Sequence, residues 1–369
     1  MSVEVVVIGG GYAGLGAIGS LQEVPDVHIT LVEPGSGHQL IPELPEALAQ
    51  HGLVSNHLVP YDQLLADTGI SHICSRASSI DWESRTVSTD SGQQLSYDWL
   101  VLASGSDPSM PPIPGLRQYG RPLRDAADAG RIKDALRYQK DQRIVIVGGG
   151  LTGVEVAGML GIDHEVVLIE AAPRLLPALG KGLADYAFRR LQRLGVILVL
   201  GQKVQSIEPH LVTLERDHYG YDILIWAGGI AVPTWIHQLG LPRDSRGYPK
   251  ADPYGMVIDH VFVAGDLWHV VVDGQEIAAT AQVAALAGAY VGEIIGHRIQ
   301  GVGNESSFAP RLRGMLISLD PGQGVGWVLH GGIPVRGMSA RTLKALSFHQ
   351  YRLKLARRFA KAWPMAGSE

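Results

Sequence analysis

Two stretches of the chain, roughly 140 residues apart, carry the same pattern of hydrophobic and polar positions. In each, a β-branched run (Val5 to Ile8, then Ile144 to Val147) closes on three glycines and gives way to a helix-like mixture of small and apolar residues. An unbroken apolar run of this length reads as a strand buried on both faces of a parallel sheet. A second apolar run follows each helix-like stretch, His28 to Val32 and Glu165 to Ile169, and each ends on an acid, Glu33 and Glu170. The repeated strand–helix–strand order predicts an α/β chain built from two Rossmann-like units.

The same periodicities place the remaining elements. Trp99 to Ala103 reads as a strand ending in Ser104 and Gly105, and Ile223 to Trp226 as a matching strand before Gly228 and Gly229. Pro108 to Pro114 holds four prolines in seven residues and reads as a linker. Val261 to Asp266 is a further strand and turn, and an alanine-rich run from Ile277 to Ile295 predicts a long helix. From Ser347 to Trp363 the residues Phe348, Tyr351, Leu355, Phe359 and Ala362 recur at steps of three or four, one face of a helix.

The glycines give the repeat its chemistry. In Gly9-x-Gly11-x-x-Gly14 and Gly148-x-Gly150-x-x-Gly153 the first glycine makes a tight turn. The second lets a pyrophosphate approach the backbone, and the third lets the helix pack close on the strand. Tyr12 and Ala13, and likewise Leu151 and Thr152, then stand where a helix begins and its free N–H groups favour an anion. Glu33 and Glu170, 24 and 22 residues beyond the first glycine of each set, can accept hydrogen bonds from an adenosine ribose. One such fingerprint is weak; strand, helix and downstream acid agreeing twice point to two dinucleotide modules. For each acid the plain alternative is a solvated charge at a strand end.

Composition narrows the chemistry. The chain has 369 residues, enough for two domains, with 46% hydrophobic and 18% charged residues. A single cysteine, Cys74, can supply neither a disulfide framework nor a redox pair. Fourteen histidines are scattered without metal-ligand spacing, so no metal site is expected. His269, just after Asp266, reads as a hydrogen-bonded histidine, and Trp82 and Trp99 as packing. The first strand begins at Val3, which leaves no room for a signal peptide, and no 18-residue apolar run appears, so a cytoplasmic protein is expected. The net charge of −5 is unevenly spread: residues 335–369 hold eight Lys or Arg and one acid, leaving 23 bases and 35 acids elsewhere. An acidic body with a basic tail argues against nucleic-acid binding and for a local task at the tail.

From residue 3 to about 330 these motifs resemble the two-dinucleotide-binding flavoproteins, the pyridine nucleotide-disulfide oxidoreductases, and their type II NADH dehydrogenase branch in particular. Tyr97 to Gly105 resembles that family's strand ending in Ala-Thr-Gly, with Ser104 for the threonine after Ala103. Gly265-Asp266 resembles the late motif whose aspartate binds the FAD ribityl chain, and Ile225 to Gly229 the segment beside the nicotinamide. His38 to Pro42 and Leu44 to Glu46 resemble the loop that approaches the flavin. Gly150 to Gly158 is similar to the branch's second fingerprint, so Glu155 matches its acid near the nicotinamide–flavin contact; a first-turn acid complementing a helix dipole is the compatible alternative. The resemblance also counts Ala77 among the cofactor-binding positions.

Two departures matter. The redox cysteine pair of the disulfide reductases is absent, and the same lack removes sulfide:quinone oxidoreductase. Of the branch's Ala-Gln-x-Ala-x-Gln signature near the quinone, Ala281, Gln282 and Ala284 are present, but Leu286 stands for the second glutamine.

The resemblance implies an FAD domain of residues 1–115 and 254–315, an NAD domain inserted at 116–253, and a C-terminal segment 316–369. It implies FAD and NADH as cofactors, with NADPH disfavoured by Glu170 unless Arg174 accepts the extra phosphate. Hydride would pass from nicotinamide to flavin, with Glu155 and Gln282 beside the chemistry and a quinone as acceptor. A soluble reductase of a small electron-transfer protein, similar to ferredoxin reductases, and a slow redox sensor similar to apoptosis-inducing factor remain open. For the tail, a basic helix with aromatic and leucine anchors either lies on the cytoplasmic membrane face or packs on the body or on the second copy of a homodimer. On the first reading residues 341–369 are removable without loss of flavin.

Overall fold

The computed structural model describes residues 2–49, 57–136, 141–303, 305–329 and 332–359. Each glycine-ended strand lies at the centre of its own sheet. The first sheet runs in the order Met256–Ile258, Val261–Val263, Trp99–Leu102, Val3–Ile8, Val27–Val32, Ser71–Ile73, parallel throughout except for its first pair. The second runs Arg121–Pro122, Ile223–Trp226, Arg143–Val147, Glu165–Glu170, Ile197–Leu200, all parallel. Both central strands are buried on both faces, which is why their sequences are runs and not alternations. Each sheet carries a three-stranded antiparallel meander, Ala77–Asp81 with Thr86–Thr89 and Gln94–Ser96, and Val204–Glu208 with Leu211–Leu214 and His218–Gly220.

The proline-rich crossing is not structureless: Asp107–Pro108 pairs antiparallel with Ile230–Ala231, and Trp226 donates its indole N–H to the Ser109 carbonyl at 2.7 Å. The alanine-rich helix spans Ala281–Gln300, starting four residues later than its pattern suggests, because the Thr280 side chain caps it by accepting the Val283 N–H at 3.2 Å. It packs backbone to backbone on the first fingerprint helix, Tyr12–Leu21. A Cβ at Gly288 would lie 1.9 Å from the Ala13 carbonyl oxygen, so only glycine permits this approach.

After residue 313 the chain forms an antiparallel sheet, Gly314–Asp320, Gln323–Val328 and Ile333–Arg336, and then the helix Gly337–Phe359. That helix begins ten residues before the periodic stretch suggests; Ala362 and Lys361 lie outside the described residues. Its apolar face is the predicted one, but it is turned inward. Leu355 and Phe359 are buried in the same core as Val5, Ile18 and Phe262, with Tyr351 packed against it. The tail helix is therefore docked on the body. Removing residues 341–369 would open this core, so the expectation that they are dispensable for flavin binding fails on packing grounds.

Candidate functional site

The two fingerprints fold into cradles of matching geometry. Gly9 and Gly148 have φ of +105° and +117°, and a Cβ on either would meet a carbonyl oxygen, Ala103 at 2.4 Å and Ala227 at 2.3 Å. Gly11 and Gly150 face open space within 4 Å, which leaves room for a pyrophosphate against the backbone. A Cβ on Gly14 or Gly153 would sit 1.8 Å from the carbonyl oxygen of Gly9 or Gly148, which fixes helix against strand. The downstream acids match as well. Glu33 accepts N–H bonds from Gly10 at 2.9 Å and Gly35 at 2.8 Å; Glu170 accepts them from Gly149 at 2.5 Å and Ala172 at 2.6 Å. Each carboxylate is thus clamped at the mouth of its cradle and still has lone pairs to offer ribose hydroxyls. Arg174 does not compete for a ribose phosphate, because its guanidinium donates to the carbonyls of Leu179 and Pro177, both at 2.9 Å.

The surroundings of the first cradle fit a flavin dinucleotide. Gly9 lies against the strand end that carries Ala103, Ser104 and Gly105, and the buried Ser104 Oγ has no hydrogen-bond partner among the described residues. Asp266 follows Gly265 at the end of the neighbouring strand; its Oδ2 accepts from Ser106 Oγ at 2.7 Å and Arg124 at 2.8 Å. Arg124 also donates to the Ser106 carbonyl at 2.9 Å. Neither Ser106 nor Arg124 carries a motif, and sequence reasoning missed both. Ala77 contributes packing, its side chain lying against the core of Val6, Ile8 and Val32. Beside the second cradle Gly229, at φ +106°, accepts the Ser109 N–H at 2.9 Å, and Gly228 lies under the Trp226 ring. His269 is hydrogen-bonded to Asp244 at 2.7 Å. Cys74 is exposed.

Beneath the first cradle lies a group of rings. Tyr61 donates to the Gly10 carbonyl at 2.7 Å, and His38 Nδ1 lies 3.2 Å from the same oxygen. A carbonyl only accepts, so Nδ1 carries the proton and Nε2 accepts from the Tyr351 hydroxyl at 3.0 Å. Tyr351 stacks on Tyr12 at 4.7 Å. The tail helix is thereby tied to the first glycine-rich loop at Gly10.

Glu155 is the fifth residue of Leu151–Leu160, beyond the first turn, so the helix-dipole reading does not apply. It is buried against the C-terminal sheet, where the Ser318 N–H donates to its Oε1 at 2.8 Å and the Lys344 ammonium contacts the same oxygen. Glu46 completes the group: it accepts from Ser318 Oγ and Arg341, each at 2.7 Å, and lies 3.2 Å from Lys344. Burial pushes the Glu155 carboxyl up, while Lys344 and the Ser318 N–H draw it back only in part. A buried carboxyl of raised proton affinity, held by an ammonium, is a group able to hold or release a proton. Gln282 is not in this group; its Oε1 accepts the Arg313 N–H at 3.3 Å. Glu155 is thus anchored within the strand Gly314–Asp320 and Gln282 at Arg313, just before it, five residues or roughly 17 Å away.

Comparison with known proteins agrees with this geometry. The family model described as pyridine nucleotide-disulphide oxidoreductase matches residues 3–288. The chain is 28% identical over 305 residues to an NADH dehydrogenase-like protein of Mycobacterium tuberculosis, covering 74% of this chain and 75% of that one. It is 27% identical over 381 residues to the type II NADH:quinone oxidoreductase of Staphylococcus aureus, covering 92% and 93%. In fold it is similar to the NDH2 of Plasmodium falciparum solved in complex with NADH, with a TM-score of 0.83, 17% identity and 98% of both chains covered.

Two outcomes follow from the buried groups. Lys344→Met leaves the Glu155 and Glu46 carboxylates without their shared cation and should cost about 3–5 kcal/mol. Adding Glu155→Gln should recover part of that loss; purely additive losses in urea unfolding would show that the two are uncoupled. Burial also pushes the His38 imidazole down, from 6.5 to about 4, against the smaller pull of Gly10. Between those values the unfolded chain binds more protons than the folded one, so stability falls as the pH drops through the window. The loss should be on the order of 3 kcal/mol in the wild type and smaller in His38→Gln. Equal pH dependence of the two in thermal unfolding would refute this.

Proposed function

Because the chain belongs to the pyridine nucleotide-disulphide oxidoreductase family, we propose that it is a type II NADH:quinone oxidoreductase that delivers electrons from NADH to a quinone. The chain is an oxidoreductase with FAD and NADH as its cofactors. Bound FAD supplies the acceptance of hydride from the nicotinamide and its release as electrons. What carries the reading is the pair of matched cradles in a chain with one cysteine: two dinucleotide seats and no redox disulfide between them. The first cradle, with Ser104 and Asp266, holds FAD, and the second, with Glu170, holds NADH. The FAD domain comprises residues 1–115 and 254–315, and the NAD domain is the insertion 116–253.

In this reading Glu155 and Gln282 face the reacting region. Glu155 serves as a proton reservoir held by Lys344, and Gln282 orients the acceptor at the N-terminal end of its helix. Among the described residues no helix is long and apolar enough to cross a membrane. In this reading a bilayer-resident quinone is reached from the cytoplasmic face of the membrane.

Two measurements test the assignment. The enzyme, reduced anaerobically with NADH, is mixed with a panel of quinones and of small electron-transfer proteins. Rapid reoxidation by quinones is expected; rapid reoxidation by a protein acceptor alone would make it a soluble reductase instead, and slow reoxidation by all would make it a sensor. For the nicotinamide, NADH should be preferred over NADPH, and Glu170→Ala should narrow the kcat/KM ratio about tenfold, the value of one charge-assisted hydrogen bond. An unchanged ratio would remove Glu170 from cofactor selection.

A further inference from the structure

The peptide unit between Gly10 and Gly11 is held on one edge and free on the other. A trans peptide is planar, with its C=O and N–H pointing in opposite directions. The Gly10 carbonyl accepts from Tyr61 at 2.7 Å and from His38 Nδ1 at 3.2 Å, on the buried side of the loop. The Gly11 N–H, on the opposite edge of the same plane, therefore points away from the core. It meets no acceptor among the described residues, and a Cβ on Gly11 would touch nothing within 4 Å. Hydrogen bonds to a carbonyl also polarise its peptide, so two donors on one edge make the N–H on the other a stronger donor.

The imidazole makes its contact with the help of the tail. Burial pushes His38 down to about 4, so near neutral pH one ring nitrogen carries a proton and the other does not. Only the tautomer protonated at Nδ1 can donate to Gly10, and the Tyr351 hydroxyl, donating to Nε2 at 3.0 Å, selects it. Tyr351 reaches this point because the tail helix lies on the first fingerprint helix. There Arg358 crosses Gly19, and Gln22 donates to the Arg358 carbonyl at 2.8 Å. The second cradle is built otherwise. The Gly149 carbonyl, the counterpart of Gly10, accepts the backbone N–H of Leu176 at 2.8 Å, from the loop after the neighbouring strand. Among the described residues no side chain donates to it.

We propose that Tyr351 and His38 are positioning residues for FAD: the Tyr351 hydroxyl fixes the His38 tautomer, and His38 with Tyr61 aims the Gly11 N–H at the pyrophosphate. FAD retention and docking of the tail are then coupled, and the coupling is reciprocal. The contrast between the cradles suits their occupants. The first is held by side chains 28 and 51 positions away and, through His38, by the tail, as befits a resident cofactor. The second is held within its own unit, as befits a cofactor that leaves after each turnover. The inference rests on the seating of FAD in the first cradle.

The test is the rate of FAD release from the full-length holoenzyme, followed by the rise of free-flavin fluorescence. Y351F keeps the stacking on Tyr12 but removes the hydroxyl. It should release FAD about three- to tenfold faster, the fold-change of one buried hydrogen bond. H38N places an amide nitrogen where Nδ1 lies and needs no choice of tautomer, so adding Y351F to it should change the rate by about twofold or less. F359L loosens the tail through packing alone; it should lower the melting temperature without hastening release. E33A, which strips the carboxylate from the mouth of the cradle, should hasten release in every case. An unchanged rate in Y351F while E33A is fast would overturn the roles of Tyr351 and His38 alone. Unchanged rates in both would overturn the seat of FAD and those roles with it. A Y351F effect that persists in full in H38N would also overturn them. So would an equal effect of F359L at equal loss of melting temperature, since Tyr351 would then act through general stability.

Discussion

Two buried carboxylates, a buried ammonium and a partly exposed guanidinium hold three distant parts of the chain in register. Glu46 comes from the short helix after the flavin-side loop, Glu155 from the second fingerprint helix, and Arg341 and Lys344 from the tail. Any one of these charges buried alone would be costly, and only docking of all three segments supplies the partners. The hydroxyl of Ser318, fully buried, donates to Glu46 while its N–H donates to Glu155, so the C-terminal sheet is locked into the same arrangement. A wrong approach of the tail would strand a carboxylate, which makes the cluster a specificity device more than a source of net stability.

Local chemistry was legible in the sequence, and long-range pairing was not. The cradles could be read because every requirement of a dinucleotide turn falls within about 30 residues: strand, glycines, helix start and acid. Even the clamping of Glu33 and Glu170 by the middle glycine follows from that spacing. The ring of contacts around Asp266 could not be read, since Arg124 lies 142 positions away and has no distinguishing neighbours. His38 was legible only as part of a loop; its link to Tyr351, 313 positions on, is created by tertiary packing alone.

The tail shows how periodicity can be right about a helix and wrong about its surroundings. A 3.6-residue apolar repeat states that one face avoids water, but not whether protein or lipid covers it. Here the aromatic face meets the core, and the basic residues divide. Arg341, Lys344, Arg352 and Arg358 turn toward partners on the body, while Lys354 and Arg357 remain outside. The acids that receive the first three, Glu43, Glu46 and Glu155, belong to the acidic remainder of the chain, and Arg358 meets the Ser20 hydroxyl. With three of the eight tail cations met by acids of the body, the charge asymmetry between body and tail is in part an internal complementarity.

That complementarity bears on the proton-holding role proposed for Glu155. Its carboxyl shares the Lys344 ammonium with Glu46, so a change of protonation at one carboxyl alters the field at the other. Protonating Glu155 would weaken its attraction to Lys344, yet the ammonium would keep Glu46 and stay buried. The cluster can thus gain or lose one proton without leaving a cation unpaired, which a simple buried pair cannot do. Two carboxylates that share Lys344, with Arg341 on Glu46 alone, are a poor choice for stability alone, where apolar residues of equal volume would serve as well. They are a reasonable choice where a proton has to be held in a dry place and given up.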